Sequence, residues 1–461
     1  MYIIQPREIK EVTELILSHK DSKICLVDDI DCDGLSSLII MYRLLERMEY
    51  DVSIHYNTKH GINESELEGF SEYDLIIILD SSSNECDRYE RFKGDILVID
   101  HHEMKSGLKP SGNTLLCNSK NTPCLGNISA GFLTYTICKN IGDMTGVDTS
   151  DLFPYGIMSI YSDIVPVDEY IKSIIDHNIQ TEFITDLGNF SKYNNRLTKT
   201  AYQMDIVPKF NYTRRLGDLV TIDKIVALGY RDNIHSKLVE NRLKAKEIVN
   251  LLSMTKNPAS IYRDGQEALR YLDITGSKDT LCNIPLTNFK GLLCNREKGI
   301  YSLNTVVCGI DDGEGSVAVS IRSDADALPV AERFFTSGGG HNKACGGIVQ
   351  KTQLSNLLKA ISELNPTIKD EVIDMNWSEL DKESLMQYAV YNEYAYSNIN
   401  PYQIRLPYNN LMEMPSIEHS VGGIKIKKFN RVPIDKPITL TPTLVGSHNG
   451  DLDVVLIVKG F

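Results

Sequence analysis

Short apolar runs that each end on an aspartate constrain this chain more than any other feature. KICLV (23–27) runs into VDDIDCDG (27–34), DLIIILD (74–80) closes on Asp80, and DILVID (95–100) closes on Asp100. A continuous apolar run of five to seven residues is the pattern of a strand buried on both faces, and such strands belong to parallel sheets covered by helices. Between the runs lie segments with helix-like apolar spacing, at 8–20 and from about Leu35 to Met48, and a further strand-like piece, YDVSIHY (50–56). The alternation predicts a doubly wound parallel-sheet α/β domain over residues 1–195. In such sheets ligands gather beyond the carboxyl ends of the strands. The aspartates fall there.

The rest of the chain changes character three times. Residues 196–260 are expected to form a helical connector, with one long charged amphipathic helical stretch from 220 to 256. Residues 261–365, containing NTVVCGIDD, GSVAVSIRSD and a glycine-rich loop SGGGHNKACGG (337–347), suit a second, smaller α/β domain. Residues 366–461, with GGIKIKKF, ITLTPTLVG and DLDVVLIV between turn residues, suit a small β-rich C-terminal domain, OB-like in expectation.

Composition narrows the function. The 48 Lys+Arg against 62 Asp+Glu give a net charge of −14, which excludes a uniformly basic nucleic-acid wrapper but leaves room for a local basic groove. It also raises the question whether some acids are concentrated around cations. The ten cysteines are scattered through apolar runs with no CxxC pair, as expected of buried free thiols in a reducing compartment. The first twenty residues mix acids and lysines into their apolar pattern, unlike a signal or transit peptide, and no stretch approaches 18 uncharged apolar residues. A soluble, cytoplasmic protein with no membrane partner is expected.

The acids themselves carry the chemistry. Asp29, Asp31 and Asp33 alternate, so in an extended segment they project on one side, with Gly34 permitting a tight turn into the next helix. Three carboxylates this close repel one another unless a cation neutralises them. A calcium-binding loop also begins D-x-D-x-D-G, but it needs a preceding helix and a glutamate at its twelfth position, where this chain has Ile40. Asp80, the Asp100-His101-His102 run and Asp163 in IYSDIVPV add donors from three further segments. Taken singly, each suits a helix cap as well as a ligand; together they make an oxygen-rich set with one or two imidazoles, which fits Mn²⁺ or Mg²⁺ better than zinc. Two such ions would clamp the attacking and leaving oxygens of a phosphoryl centre.

In order and spacing these four segments resemble the motifs of the DHH phosphoesterase superfamily. Within it the later motifs resemble RecJ-type single-strand exonucleases. IVPKFNYTRRLG (206–217) is similar to a RecJ pattern here carried by Pro208, Asn211 and Arg215, with Arg214 where that family usually has glycine. SIRS (320–323) and GGHNKACG (339–346) resemble elements of the DHH-associated DHHA1 domain. The resemblance implies metal ligands at Asp29, Asp31, Asp33, Asp80, His101 and Asp163, holding two Mn²⁺ or Mg²⁺ ions. It implies catalytic roles for His102, Asp33 and Asp100, and substrate contacts from Arg215, Ser320, Arg322, Gly339, Gly340 and His341. One departure is NTKHGIN (57–63), where Lys59 or His60 stands in for a family arginine.

The segment from Gly422 to Lys436 bears on the substrate. Lys425, Lys427, Lys428, Arg431 and Lys436 face only Asp435, a net +4, with Phe429 among them. On a small β domain this suits a strand-tracking, base-stacking surface, with Lys427 and Lys428 contacting the substrate; a solvated basic edge strand is the plainer alternative. The expected activity is metal-dependent 5′-to-3′ removal of nucleotides from single-stranded DNA, with a single-strand-binding protein or helicase as partner in a bacterial or phage setting. Cleavage of short oligonucleotides, as a DHH-family oligoribonuclease or cyclic-dinucleotide phosphodiesterase, is the alternative within the superfamily. A catalytically inactive replication scaffold is the alternative outside it, but no central acid or histidine is missing.

Overall fold

The computed structural model describes residues 7–57, 61–62, 64–105, 107–121, 126–181, 187, 197–229, 232–277, 281, 285–301, 303–366, 371–396, 399–407, 418–421, 424–428, 438–446 and 451–458. The chain divides into two compact units, one built mainly from residues up to Arg242 and the other mainly from Leu243 onward.

The first unit is organised by a five-stranded parallel sheet: β1 (Lys23–Asp28), β2 (Asp51–Tyr56), β3 (Leu75–Leu79), β4 (Asp95–Asp100) and β5 (Thr114–Asn118), in the order β2-β1-β3-β4-β5. The apolar runs are buried as expected, because both faces of the sheet are covered. On one face Cys25, Val27, Ile76, Ile78, Ile96 and Val98 pack with Leu67, Phe70, Tyr89 and Phe92 from the connections after β2 and β3. Those connections carry short 3₁₀ turns, among them Glu64–Phe70 and Cys86–Arg88. The alternate residues, such as Leu26, Ile77 and Leu97, are fully buried and point by strand alternation to the opposite face. There α2 (Cys32–Arg47) packs on β1 to β3, α3 (Ala130–Thr145) on β4, and α1 (Arg7–Ser18) on β5. Each such Leu or Ile side chain contributes about 1.5–3 kcal/mol by leaving water.

Two further helices, α4 (Phe153–Asp163) and α5 (Glu169–Gln180), follow. A π-helical turn, Tyr202–Ile206, then leads into the helix Val207–Arg215. The long helical stretch expected over 220–256 is two helices, Leu219–Leu228 and Asp232–Thr255. Gly229, at φ +66°, ends the first, since a left-handed residue cannot continue the helix.

The second unit contains two six-stranded sheets. One, of β6 (Asn257–Arg263), β7 (Gln266–Asp273), β8 (Thr305–Asp311), β9 (Ser316–Ser323), β10 (Phe335–His341) and β11 (Ala344–Gln350), runs β10-β11-β9-β8-β7-β6. The helix Lys290–Tyr301 packs on β8 and β9, and Leu354–Ser362 on β7. The expected glycine-rich loop is instead a hairpin: β10 and β11 pair antiparallel from Phe335↔Val349 to His341↔Ala344. All its glycines but Gly339 serve strand packing; a side chain at Gly347, for example, would come within 2.7 Å of the Phe335 ring. The other sheet, of β12 (Glu371–Asp374), β13 (Tyr402–Leu406), β14 (Glu418–Val421), β15 (Ile424–Lys428), β16 (Ile438–Gly446) and β17 (Leu452–Val458), runs β12-β13-β16-β17-β15-β14. The β-rich C-terminal segment is therefore present. Among the described residues eight cysteines are buried free thiols, and no helix is long and apolar enough to cross a membrane.

Candidate metal centre

The strand order places a topological switch between β1 and β3, where connections leave in opposite directions and open a crevice at the carboxyl ends. The first acidic loop follows β1 and Asp80 follows β3. The loop is not extended throughout, as the alternation suggested. Asp31 is the N-cap of α2, its Oδ1 accepting from the N–H groups of Asp33 (3.0 Å) and Gly34 (3.4 Å). Asp33 lies in the first helical turn and is fully buried. Gly34 likewise serves no turn: a Cβ there would lie 2.7–2.8 Å from the backbone and Cβ of Asp29, so the bare glycine lets Asp29 pack against the helix.

Asp33 is held from a second element. Its Oδ2 accepts from Ala130 N (3.0 Å) and its Oδ1 from Gly131 N (2.7 Å), the first N–H groups of α3. Asp80 sits at φ +64° and Ser82 at φ +74°, two left-handed non-glycine residues within three positions. Such backbone costs of order 1–3 kcal/mol each and clusters at functional sites. Asp163 is the last residue of α4, where the helix dipole disfavours a carboxylate and favours a cation beside it.

These segments converge on one imidazole. His101 Nε2 lies 3.3 Å from Asp33 Oδ2, 3.3 Å from Asp80 Oδ1 and 3.2 Å from Asp163 Oδ2. Asp29, Asp31 and Asp80 form an adjoining group whose oxygens lie within 4.8 Å of one another. Burial, together with Asp163 and Asp31, pushes the Asp33 carboxyl up to about 7, against the pull of His101. Burial and the surrounding aspartates raise Asp80 well above the ordinary carboxylate range. Asp80 Oδ1 is also buried without a hydrogen-bond partner. Buried carboxylates that repel one another, with an unsatisfied oxygen aimed among them, are a donor set completed by a cation. Five carboxylates and one imidazole fit Mn²⁺ or Mg²⁺.

Asp100 does different work from the other acids. Its Oδ1 accepts from His101 N (2.7 Å), His102 N (3.2 Å) and His102 Nδ1 (2.8 Å), and its Oδ2 from Ser83 N (3.1 Å). Although burial opposes ionisation, His102 and these hydrogen bonds hold the Asp100 carboxyl well below its usual range. Against the same burial, Asp100 and the nearby acids push His102 up to about 10. Asp100 therefore orients His102. Asn118 on β5 supports the arrangement, donating to Ser83 Oγ (2.9 Å) and His102 O (3.1 Å).

The two arginines of the helix Val207–Arg215 part company. Arg215 Nη2 lies 4.0 Å from Asp31 Oδ2, beside the centre, with Nε donating to Asn211 (2.6 Å). Arg214 is buried on Asp28. Neither Asp28 nor Asn118 stood out in the sequence; the only pointer to the former was its place between an apolar run and the acidic cluster.

In the second unit, strand register brings the other candidates together. Ser320, Gly346 and Gly339 form one row across β9, β11 and β10, and Arg322, Ala344 and His341 form the row two residues along. Paired residues two apart share a face. Arg322 Nη1 donates to Ser320 Oγ (3.2 Å). Gly291, at the start of the helix Lys290–Tyr301, leaves room for the guanidinium: a Cβ there would lie 2.5 Å from Arg322 Nη2. A Cβ at Gly339 would meet nothing, whereas Gly340, at φ +124°, lies against Ala344 O. Lys427 and Lys428 belong to β15, an inner strand of its sheet, on which Ile424 and Ile426 are buried and Lys425 is exposed. Phe429, Arg431 and Lys436, and Lys59 and His60, lie outside the described residues.

Residues 23–157 match the model of the DHH family, N-terminal domain, and residues 291–365 that of the DHHA1 domain. No curated protein matches the chain in sequence. Among solved structures, RecJ from Thermus thermophilus in complex with Mn²⁺ is similar at TM-score 0.70 and 16% identity, over 99% of this chain and 71% of RecJ. The Thermus thermophilus RecJ complex with Mg²⁺ gives 0.61 and 15%, over 99% and 70%. An exonuclease RecJ bound to manganese gives 0.57 and 16%, over 78% of this chain and 95% of that one. At such identities the likeness establishes the fold. The two domain matches lie in chain order on that fold: the first contains Asp29, Asp31, Asp33, Asp80, His101 and His102, with Asp163 just beyond it, and the second contains the Ser320–Arg322 strand, so the chain carries stretches similar to the DHH and DHHA1 domains on a fold similar to that of RecJ.

Proposed function

We propose that the chain is an exonuclease that removes nucleotides from the 5′ end of single-stranded DNA, using two Mn²⁺ or Mg²⁺ ions. The observation that carries the reading is the convergence of Asp33, Asp80 and Asp163 on His101 Nε2 at 3.2–3.3 Å, with Asp29 and Asp31 adjoining through Asp80. In this reading Asp33, His101 and Asp163 would hold one ion, and Asp29, Asp31 and Asp80 the other. The bound cations supply Lewis-acid stabilisation of the phosphoryl centre and lower the pKa of water.

The protein's own groups do the rest. Asp100 fixes the His102 ring through Nδ1, leaving Nε2 as the edge that meets a phosphate oxygen. Arg215 adds a cation beside Asp31. Ser320, Arg322 and His341, on one face of their sheet with the bare Gly339 between, hold a substrate phosphate through a planar fork of donors and a hydroxyl. Lys427 and Lys428 contribute to holding the strand, and a single-strand-binding protein or helicase is the partner class for such an enzyme.

The test is a substrate panel with Mn²⁺: 5′-labelled and 3′-labelled single-stranded DNA, duplex DNA, short RNA and cyclic dinucleotides. Labelled mononucleotide released at once from the 5′-labelled strand, with duplex and cyclic dinucleotides left intact, is the expected result. Preferential cleavage of short RNA or cyclic dinucleotides would replace this substrate assignment with the other superfamily activity.

A further inference from the structure

Arg214 is buried, and its guanidinium is directed at the scaffold. Nε donates to Asp28 Oδ2 (2.8 Å), and Nη2 donates to Asp28 Oδ1 (2.9 Å) and to the Asn57 carbonyl (2.5 Å). Asp28 ends β1, one residue before Asp29, and Asn57 follows the end of β2. The Asn57 N–H donates to the same Asp28 Oδ1 (3.2 Å), so carboxylate, guanidinium and peptide close a ring across the two strand ends. The Tyr56 ring lies 5.7 Å from the guanidinium, and its hydroxyl donates to Asp223 (2.5 Å) on the next helix. The helix that carries Arg214 is secured on other sides as well. Asn241 donates to Thr213 Oγ1 (3.3 Å), and Lys209 pairs with Asp205 (3.1 Å). Arg215, the next residue, stands 4.0 Å from Asp31.

From this we infer that the Arg214–Asp28 pair is a positioning clamp: it fixes the start of the Asp29–Asp33 loop and, through the same helix, the place of Arg215 beside it. The proposal rests on the metal-centre reading above. A planar fork meeting a carboxylate through two bonds fixes direction as well as distance, which a lysine's point charge does not. Metal donors must stand within a few tenths of an ångström of their places, and groups that orient them typically govern affinity by ten- to a hundredfold. Neither Arg214 nor Asp28 touches substrate in this scheme. Both act through Asp29, Asp31 and Arg215.

The experiment compares the full-length chain with Arg214→Lys, Arg214→Met, Asp28→Asn and the double variant Arg214→Met/Asp28→Asn. Mn²⁺ affinity is read without substrate from the electron paramagnetic resonance of free Mn²⁺, kcat and KM on a 5′-phosphorylated single-stranded oligonucleotide, and folding by circular dichroism. Arg214→Lys should stay folded yet bind Mn²⁺ roughly ten- to a hundredfold more weakly and lose kcat in parallel. The double variant should be no worse than Arg214→Met alone, because the two residues act as one unit. Should Arg214→Met fail to fold, Arg214→Lys decides. A folded Arg214→Lys protein with Mn²⁺ affinity and kcat within about twofold of the parent would overturn the clamp and leave the pair a stabilising contact only. Because Mn²⁺ binding needs no substrate, a parent chain that binds Mn²⁺ but cleaves nothing overturns the functional reading while still testing this one.

Discussion

Lys290 shows what burial does to a charge away from the metal centre. It lies on the first turn of the helix Lys290–Tyr301, nine-tenths buried, and burial pushes its ammonium down to about 8, with Cys308 and Cys294 acting weakly the other way. A lysine whose folded pKa is depressed binds fewer protons than the unfolded chain between about 8 and 10.5, so its contribution to stability rises with pH across that window. The cost is therefore fully present below pH 8. Lys290→Met should stabilise the protein at pH 7 by roughly 1–3 kcal/mol, and the gain should vanish near pH 10.5, as followed by urea denaturation. An unchanged or lowered midpoint at pH 7 would show that the ammonium has a partner worth keeping. The acids and the imidazole that the structure brings together stood out at this scale because they lie in VDDIDCDG, at the end of DLIIILD, in the DHH run or in IYSDIVPV. Arg214 and Asp28 were not: two arginines in a row look alike until a helix turns one to the acid loop and the other inward.

Elements were legible where burial imposes a pattern. β1, β3 and β4 followed from their apolar runs, since a strand covered on both faces has few polar positions to spare. The hairpin of β10 and β11 was hidden because FTSGGGH and ACGGIVQ contain five glycines, a composition that reads as a loop. The structure separates those glycines by role. Gly338, at φ +147°, has Gly346 O against the place of a Cβ, while the corresponding space at Gly339 is empty. Gly338→Ala should cost about 1–3 kcal/mol through strain and overlap, and Gly339→Ala under about 0.5 kcal/mol, in paired melting curves. If Gly339→Ala weakens oligonucleotide binding at unchanged stability, the open space belongs to the ligand; if both substitutions are equally destabilising, the hairpin register is not as described. The break at Gly229 escaped notice for a related reason: the charged amphipathic pattern continues on both sides of it, and only the left-handed backbone ends the helix.

For the whole molecule, the net charge of −14 is compatible with a nucleic-acid enzyme because part of the acidity is turned inward. Asp29, Asp33, Asp80 and Asp100 are almost wholly buried. The protein itself secures the ionised form of Asp100, whereas burial and neighbouring acids work against ionisation of Asp33 and Asp80. The domain order was legible, since the acidic motifs precede SIRS and GGHNKACG in the chain as the DHH match precedes the DHHA1 match. The division of the connector between two compact units was not, because contacts rather than composition decide it. The most direct test of the central claim is the rate of mononucleotide release from a 5′-labelled single-stranded oligonucleotide, with and without Mn²⁺, for the parent chain and for Asp80→Asn. Asparagine tolerates the left-handed backbone at this position and keeps the side chain's size, while removing the charge and exchanging one carboxylate oxygen for an amide NH2 that cannot ligate a cation. Release should require Mn²⁺ and fall by at least about a hundredfold in Asp80→Asn, more than the loss of a merely orienting group. Release that is independent of Mn²⁺, or that survives the substitution unchanged, would contradict that claim.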